Sequence, residues 1–167
     1  MIFTIGHSNH SLEHFLQLLA GAQIGAIADV RSKPHSRWSP QFSKETLASA
    51  LGKNDVAYVF LGRELGGRPD NPALLKNGKP DYDAMSRIES FRAGIERIIE
   101  GAKTHRIALM CAERDPLDCH RYLLIGRHLA SRAIPVAHIL ASGEVEDQEK
   151  TEARFRARNP IGDLFGA

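Results

Sequence analysis

Arg106-Ile-Ala-Leu-Met-Cys-Ala-Glu-Arg-Asp-Pro-Leu-Asp-Cys-His-Arg121 holds the features that decide the fold class. Ile107–Met110 is a short, uncharged apolar run of the length of a buried strand. It runs straight into Cys111, Glu113, Arg114 and Asp115, and Pro116 follows. A helical pattern begins after Asp118, with Cys119, His120 and Arg121 in its first turn. Tyr122, Ile125 and Leu129 then line one face, and the helix is expected to end before Pro135. A buried strand that ends in reactive groups and leads into a helix N-terminus is where an open α/β sheet keeps its ligand.

Working outward, the same alternation recurs. Ile2–Ile5 reads as a strand closed by Gly6, followed by the polar cluster His7-Ser-Asn-His10. Ser11 is placed to cap a helix carrying Leu12, Phe15, Leu16 and Leu19, which Gly21 closes. Ile24–Val30 is a second strand. Pro34 and Pro40 make the next stretch a loop, into which Asp29, Arg31, Lys33, His35, Ser36, Arg37 and Trp38 are crowded. Ser43 is placed to cap a helix with Leu47, Ala48 and Leu51. Val56–Leu61 is a third strand, with Tyr58 expected in the core.

Gly62–Pro80, rich in Gly, Pro and Asn, reads as a long surface loop holding Arg63, Glu64 and Arg68. Met85, Ile88, Phe91, Ile95, Ile98 and Ile99 predict one long amphipathic helix over about 82–104. Val136–Leu140 is the last strand. Beyond Ser142 the chain is polar, acidic first and then basic, and is read as a helix followed by an arm that docks Phe155, Ile161, Leu164 and Phe165. The expected architecture is α/β, a single three-layer α/β/α domain over 1–141 with a mostly parallel sheet of about five strands. Residues 142–167 form a C-terminal extension that docks on it or trails from it.

Composition limits the function classes. The 167 residues suit one domain, and 43% hydrophobic with 25% charged residues is ordinary for a globular protein. A net charge of +2 gives no general reason for a polyanionic partner, though it allows a local basic patch. No apolar run approaches the roughly 20 residues of a membrane span. The start lacks a basic flank and cleavage site, so no signal peptide is expected, and two cysteines without one point to a reduced, cytoplasmic protein.

If the sheet is parallel, four polar loops meet at its carboxyl edge. Cys111 is a candidate nucleophile, because nearby cations and a helix N-terminus favour a thiolate; the alternative is a buried cysteine acting as a small hydrophobe. Its distance in sequence from Arg121 does not match the short Cys-to-Arg loop of phosphatase- or rhodanese-type enzymes. Cys119, His120 and Arg121 are candidates for anion contact, against a structural ion pair from Arg121 to Glu113 or Asp29. Two cysteines with seven residues between them, plus His120, do not have the usual zinc spacing; adding His7 or His35 makes four ligands, but nothing requires it, so no metal or cofactor is expected. Arg31 and Arg37 suit a phosphate or carboxylate, partly offset by Asp29 and Glu113. His7 is a candidate general base, against a structural hydrogen bond.

Thr4-Ile-Gly-His-Ser8, Asp29-Val-Arg-Ser-Lys-Pro-His-Ser-Arg37, Pro40-Gln-Phe42, Leu65-Gly-Gly67, Leu109-Met-Cys-Ala-Glu113 and Cys119-His-Arg121 resemble the bacterial and archaeal proteins grouped as domain of unknown function 488. His138-Ile-Leu140 is similar to that family's closing strand. The likeness runs in order over about residues 2 to 141. It implies an α/β fold and a polar cluster at these positions, and it supplies no reaction. The expected function is an enzyme acting on a small anionic or nucleotide-like substrate. Arg31, Arg37 and Arg121 would hold the anion, Cys111, Glu113 and His7 are the reactive candidates, and Ser8, Asp29, Cys119 and His120 contribute to binding. The alternative is a non-catalytic module for nucleic acid or an anion, with Trp38, His35 and the arginine loops supplying stacking and phosphate contacts.

Overall fold

A computed structural model describes residues 1–160. Its first half comprises β1 (Ile2–Gly6), α1 (Leu12–Gly21), β2 (Ala26–Asp29), α2 (Lys44–Gly52), β3 (Ala57–Phe60) and α3 (Gly62–Leu65). A two-stranded hairpin, β4 (Leu75–Lys76) and β5 (Lys79–Pro80), precedes α4 (Tyr82–Met85) and α5 (Glu89–Gly101). Then come β6 (Ile107–Cys111), α6 (Arg127–Ser131), β7 (Val136–Ile139), β8 (Val145–Asp147) and α7 (Gln148–Arg158).

The sheet order is β3-β2-β6-β1-β7-β8. The strands are parallel except β8, which runs antiparallel to β7. The fold is a three-layer α/β/α domain, and β6 shows why. Ile107, Leu109 and Cys111 belong to one core with Phe91, Ile95 and Ile98 of α5, while Ala108 and Met110 belong to the other with Phe15 and Leu47. Successive strand side chains point to opposite faces, so an unbroken apolar run needs helices on both. Burying each of Phe91, Ile95 and Ile98 contributes about 1.5–3 kcal/mol.

Several local expectations change. The predicted helix over 82–104 is two helices. Ser86 Oγ donates to the Asp83 carbonyl, Ile88 takes extended angles, and α5 starts only at Glu89. The stretch 62–80 is not wholly surface, since α3 buries Leu65 against the α5 core. Tyr58 is half-exposed; its ring packs on the second core, but its hydroxyl leaves it to donate to Asp29. Ser11 accepts the His14 amide hydrogen, whereas Ser43 starts α2 without a side-chain cap bond. Residues 142–160 include β8 on the sheet edge and α7, whose Phe155 packs beside Tyr122. Ile161, Leu164 and Phe165 lie outside the described residues.

Candidate functional site

The carboxyl ends of β1, β2 and β6 stand side by side, with Gly6 paired to Cys111 and Asp29 to Met110. The ladder continues past the strands: the amides of His7 and Ser8 donate to the carbonyls of Cys111 and Ala112 at 2.9 Å. Chain leaves β1 and β2 towards helices on the Phe15 and Leu47 face. It leaves β6 towards Leu124 and Leu129 on the opposite face. Such a switch opens a crevice at the strand ends. Gly6 permits the closure, because a Cβ there would lie 1.8 Å from the Glu113 carbonyl oxygen.

One wall is a buried polar network. Arg31 donates from Nε to Asp29 Oδ1 at 2.9 Å and from Nη2 to Oδ2 at 2.6 Å, and Tyr58 donates to the same Oδ2 at 2.8 Å. Arg31 Nη1 donates to His7 Nε2 at 3.2 Å, and His7 Nδ1 donates to the Ser8 carbonyl at 2.8 Å. Both imidazole nitrogens are therefore engaged, and the ring stacks on Phe42. Burial lowers the His7 pKa to about 4, against the Ser8 carbonyl and helped by the Arg31 charge. The network bears on two expectations. Arg31 is neutralised by Asp29 within the wall, and His7 is a neutral spacer whose acceptor nitrogen is already taken.

The floor is a sulfur cluster. Cys111 Sγ and Cys119 Sγ lie 3.7 and 3.8 Å from His120 Nδ1. Cys119 Sγ also donates to Glu113 Oε2 at 3.1 Å. His120 Nε2 lies 3.0 Å from the Val30 carbonyl, which only accepts, so Nε2 carries the ring proton and Nδ1 turns its lone pair to the sulfurs. Cys119 is not in a first helical turn as expected. It is extended (φ −135°, ψ 142°) after a 3₁₀ turn over Pro116–Asp118, and a wide π-type run over Arg121–Gly126 leads into α6.

The two thiols diverge in acidity. The hydrogen bond with Cys119, then burial, pushes Cys111 well above its usual value. Burial also opposes ionisation of Cys119, but the hydrogen bond from Cys111 and the Arg121 charge bring it below its usual value. Glu113 is likewise held low against burial, by hydrogen bonds from both thiols. A thiolate and a carboxylate 3.1 Å apart would repel in so buried a place, which opposes loss of the proton that Cys119 donates to Glu113.

The remaining candidates divide. His7, Arg31, Cys111, Glu113 and His120 line a cleft of about 840 Å³, whose rim carries Lys33, His35, Trp38, Arg68 and Tyr82. Ser8 (φ 48°), Asp29, Arg37, Cys119 and Arg121 do not line it. Arg121 is fully buried and donates to the Glu113 and Arg114 carbonyls, so it shapes the floor loop instead of reaching a ligand. Arg37 is exposed outside the cleft. Tyr82 was missed; it reads as an ordinary helix start, and its place after a long loop is its only signal.

A family model described as Domain of unknown function DUF488 matches residues 11–127, which takes in Arg31, Cys111, Glu113, Cys119 and His120. No curated protein and no solved structure matches the chain.

Proposed function

The chain belongs to the family described as domain of unknown function DUF488, and from that premise we propose that it is an enzyme acting on a small anionic, nucleotide-like substrate. The observation that carries this reading is the composition of the cleft. Acid–base and thiol groups (Glu113, His120, Cys111) form its floor, while Lys33 and Arg68 stand with Trp38 and Tyr82 at its mouth. Concave sites with a few convergent polar groups and displaced pKa values are where chemistry concentrates. The anionic end of the substrate sits at Lys33 and Arg68, which have no carboxylate within ion-pair reach among the described residues. A planar ring packs on Trp38 or Tyr82, and the reacting bond lies over the floor. Glu113 is the carboxylate placed to move a proton there. Two buried free thiols fit a reducing, cytoplasmic setting. No helix among the described residues is long and apolar enough to cross a membrane.

The chain has one tryptophan, which makes the test direct. Nucleoside monophosphates should change Trp38 fluorescence saturably, and Arg68→Ala should weaken binding roughly tenfold, the loss expected for one charge-assisted hydrogen bond. No fluorescence change with any of the common nucleoside phosphates at millimolar concentration would overturn the reading.

A second reading has its own support. Trp38 is 92% exposed, and Lys33, His35 and Arg37 share its loop. That arrangement suits stacking and phosphate contact on single-stranded nucleic acid. Retention on such a strand would have to weaken as salt rises, and no retention at low salt ends this second reading.

A further inference from the structure

We infer that Cys111, Cys119 and His120 together hold one divalent transition-metal ion of the zinc class. Their sulfur and Nδ1 atoms all lie within 4.8 Å of one another, and all three residues are buried. Tetrahedral zinc, with bonds of about 2.3 Å to sulfur and about 2.0 Å to nitrogen, separates a sulfur from a nitrogen ligand by about 3.6 Å. The sulfur-to-nitrogen separations here are 3.7 and 3.8 Å, and the two sulfurs lie within 4.8 Å of each other, against about 3.8 Å for a tetrahedral sulfur pair, so closing on an ion takes shifts of no more than about an ångström.

Three further observations point the same way. First, Val30 accepts the Nε2 hydrogen of His120. A ligating imidazole usually donates its other N–H in this manner, which fixes the tautomer and raises the basicity of the ligating nitrogen. Second, Gly67 presses on this ring: a Cβ there would lie 2.7 Å from Nδ1, so the backbone clamps His120 in its present plane. Third, the second cysteine is brought to the first by a built turn. Asp115 Oδ1 accepts the Leu117 amide hydrogen, the 3₁₀ turn follows, and extended Cys119 returns across Cys111. Two sulfurs and an imidazole favour zinc or a similarly soft ion over magnesium or calcium.

Loading converts both thiols to thiolates and releases their two protons to solvent, leaving the metal's charge balanced by the two sulfurs. Three protein donors leave one coordination position. Cys111 and His120 line the cleft with Glu113 beside them, so that position faces the cleft. It would take an oxygen of water or of the substrate. This last assignment rests on the proposed cleft enzyme, whereas the metal itself does not.

The full reduced chain, freed of metal by chelation, is titrated with Co²⁺. Expected are one equivalent bound, thiolate-to-cobalt charge-transfer bands, and their loss on adding Zn²⁺. Cys119→Ser should reduce those bands to about half and weaken cobalt binding roughly tenfold or more. Zn²⁺ should also protect both wild-type thiols from alkylation, a readout that needs no variant to fold. Absence of charge-transfer bands in the folded wild type, or bands undiminished in a folded Cys119→Ser protein, would overturn the assignment. So would thiols alkylated equally fast with and without Zn²⁺. Cobalt bands without any nucleotide effect on Trp38 fluorescence leave the metal standing and remove the substrate reading. Nucleotide binding without cobalt bands does the reverse.

Discussion

Arg121 Nη1 lies 2.6 Å from the carbonyl oxygen of Glu113, so a buried guanidinium from the helix side holds the backbone of the floor loop. Its Nη2 holds the next carbonyl, of Arg114, at 3.0 Å, while Nε is buried without a partner. Arg121→Met removes two hydrogen bonds from a charged donor and relieves the burial of its charge. The expected net loss is about 2 kcal/mol, read as a lower urea midpoint. A variant as stable as the wild type would refute this account of the loop.

Acid should weaken the fold through two imidazoles. His138 is buried between Thr4, whose hydroxyl donates to Nδ1, and Gln148, whose Oε1 accepts from Nε2. Burial lowers its pKa to about 4, as it does for His7. Between the ordinary value of 6.5 and about 4, the unfolded chain takes up protons that the folded chain refuses. Stability therefore falls as pH drops through that window, by on the order of 3 kcal/mol per imidazole. Urea midpoints at pH 7, 5.5 and 4.5 should decline steadily, and His138→Gln should flatten the slope.

Asp29 is fully buried and depends on Arg31 for its charge balance. Arg31→Gln leaves that carboxylate with Tyr58 as its remaining charge-stabilising side chain, at an expected cost of about 3–5 kcal/mol. Adding Asp29→Asn should recover part of the loss, because the stranded charge disappears. A double variant as damaged as the sum of the singles would argue against a pair.

The extension is tied to the floor loop by Arg154, which donates to Asp115 Oδ2 at 3.1 Å and to Glu146 Oε1 at 2.9 Å. Glu146 is buried while Arg154 is 36% exposed, so Arg154→Ala should cost roughly 2 kcal/mol, less than for a wholly buried pair. Amide exchange in residues 113–118 should rise with it. Exchange confined to α7 would separate the extension from the site.

Much of the layering was legible because each strand is an apolar run too short for a helix. The break before α5 was not, since Met85, Ile88 and Phe91 keep helical spacing across it and only a Ser86 side-chain bond marks the stop. The site was legible as a meeting of loops at His7, Arg31 and Cys111. The roles of its arginines were not. Residue type identifies a guanidinium, but only packing decides whether it lines the cleft, as Arg68 does, or holds a carbonyl, as Arg121 does. Cys111, Cys119 and His120 were legible as candidates, but their spacing spoke against a shared ion for a related reason. Ligand spacing in sequence reports close pairs on one local element, whereas here a strand end and a returning turn supply the proximity.

The placing of β6 between β1 and β2 has a consequence for synthesis. Until Ile107–Cys111 leaves the ribosome, β1 has no neighbour, and of the strands of the main sheet only β2 and β3 can pair. Pairing that waits for distant sequence is slow and leaves strand edges open meanwhile. An interrupted chain thus carries His7 and Arg31 but neither thiol. The cluster therefore comes into being together with the sheet that buries it.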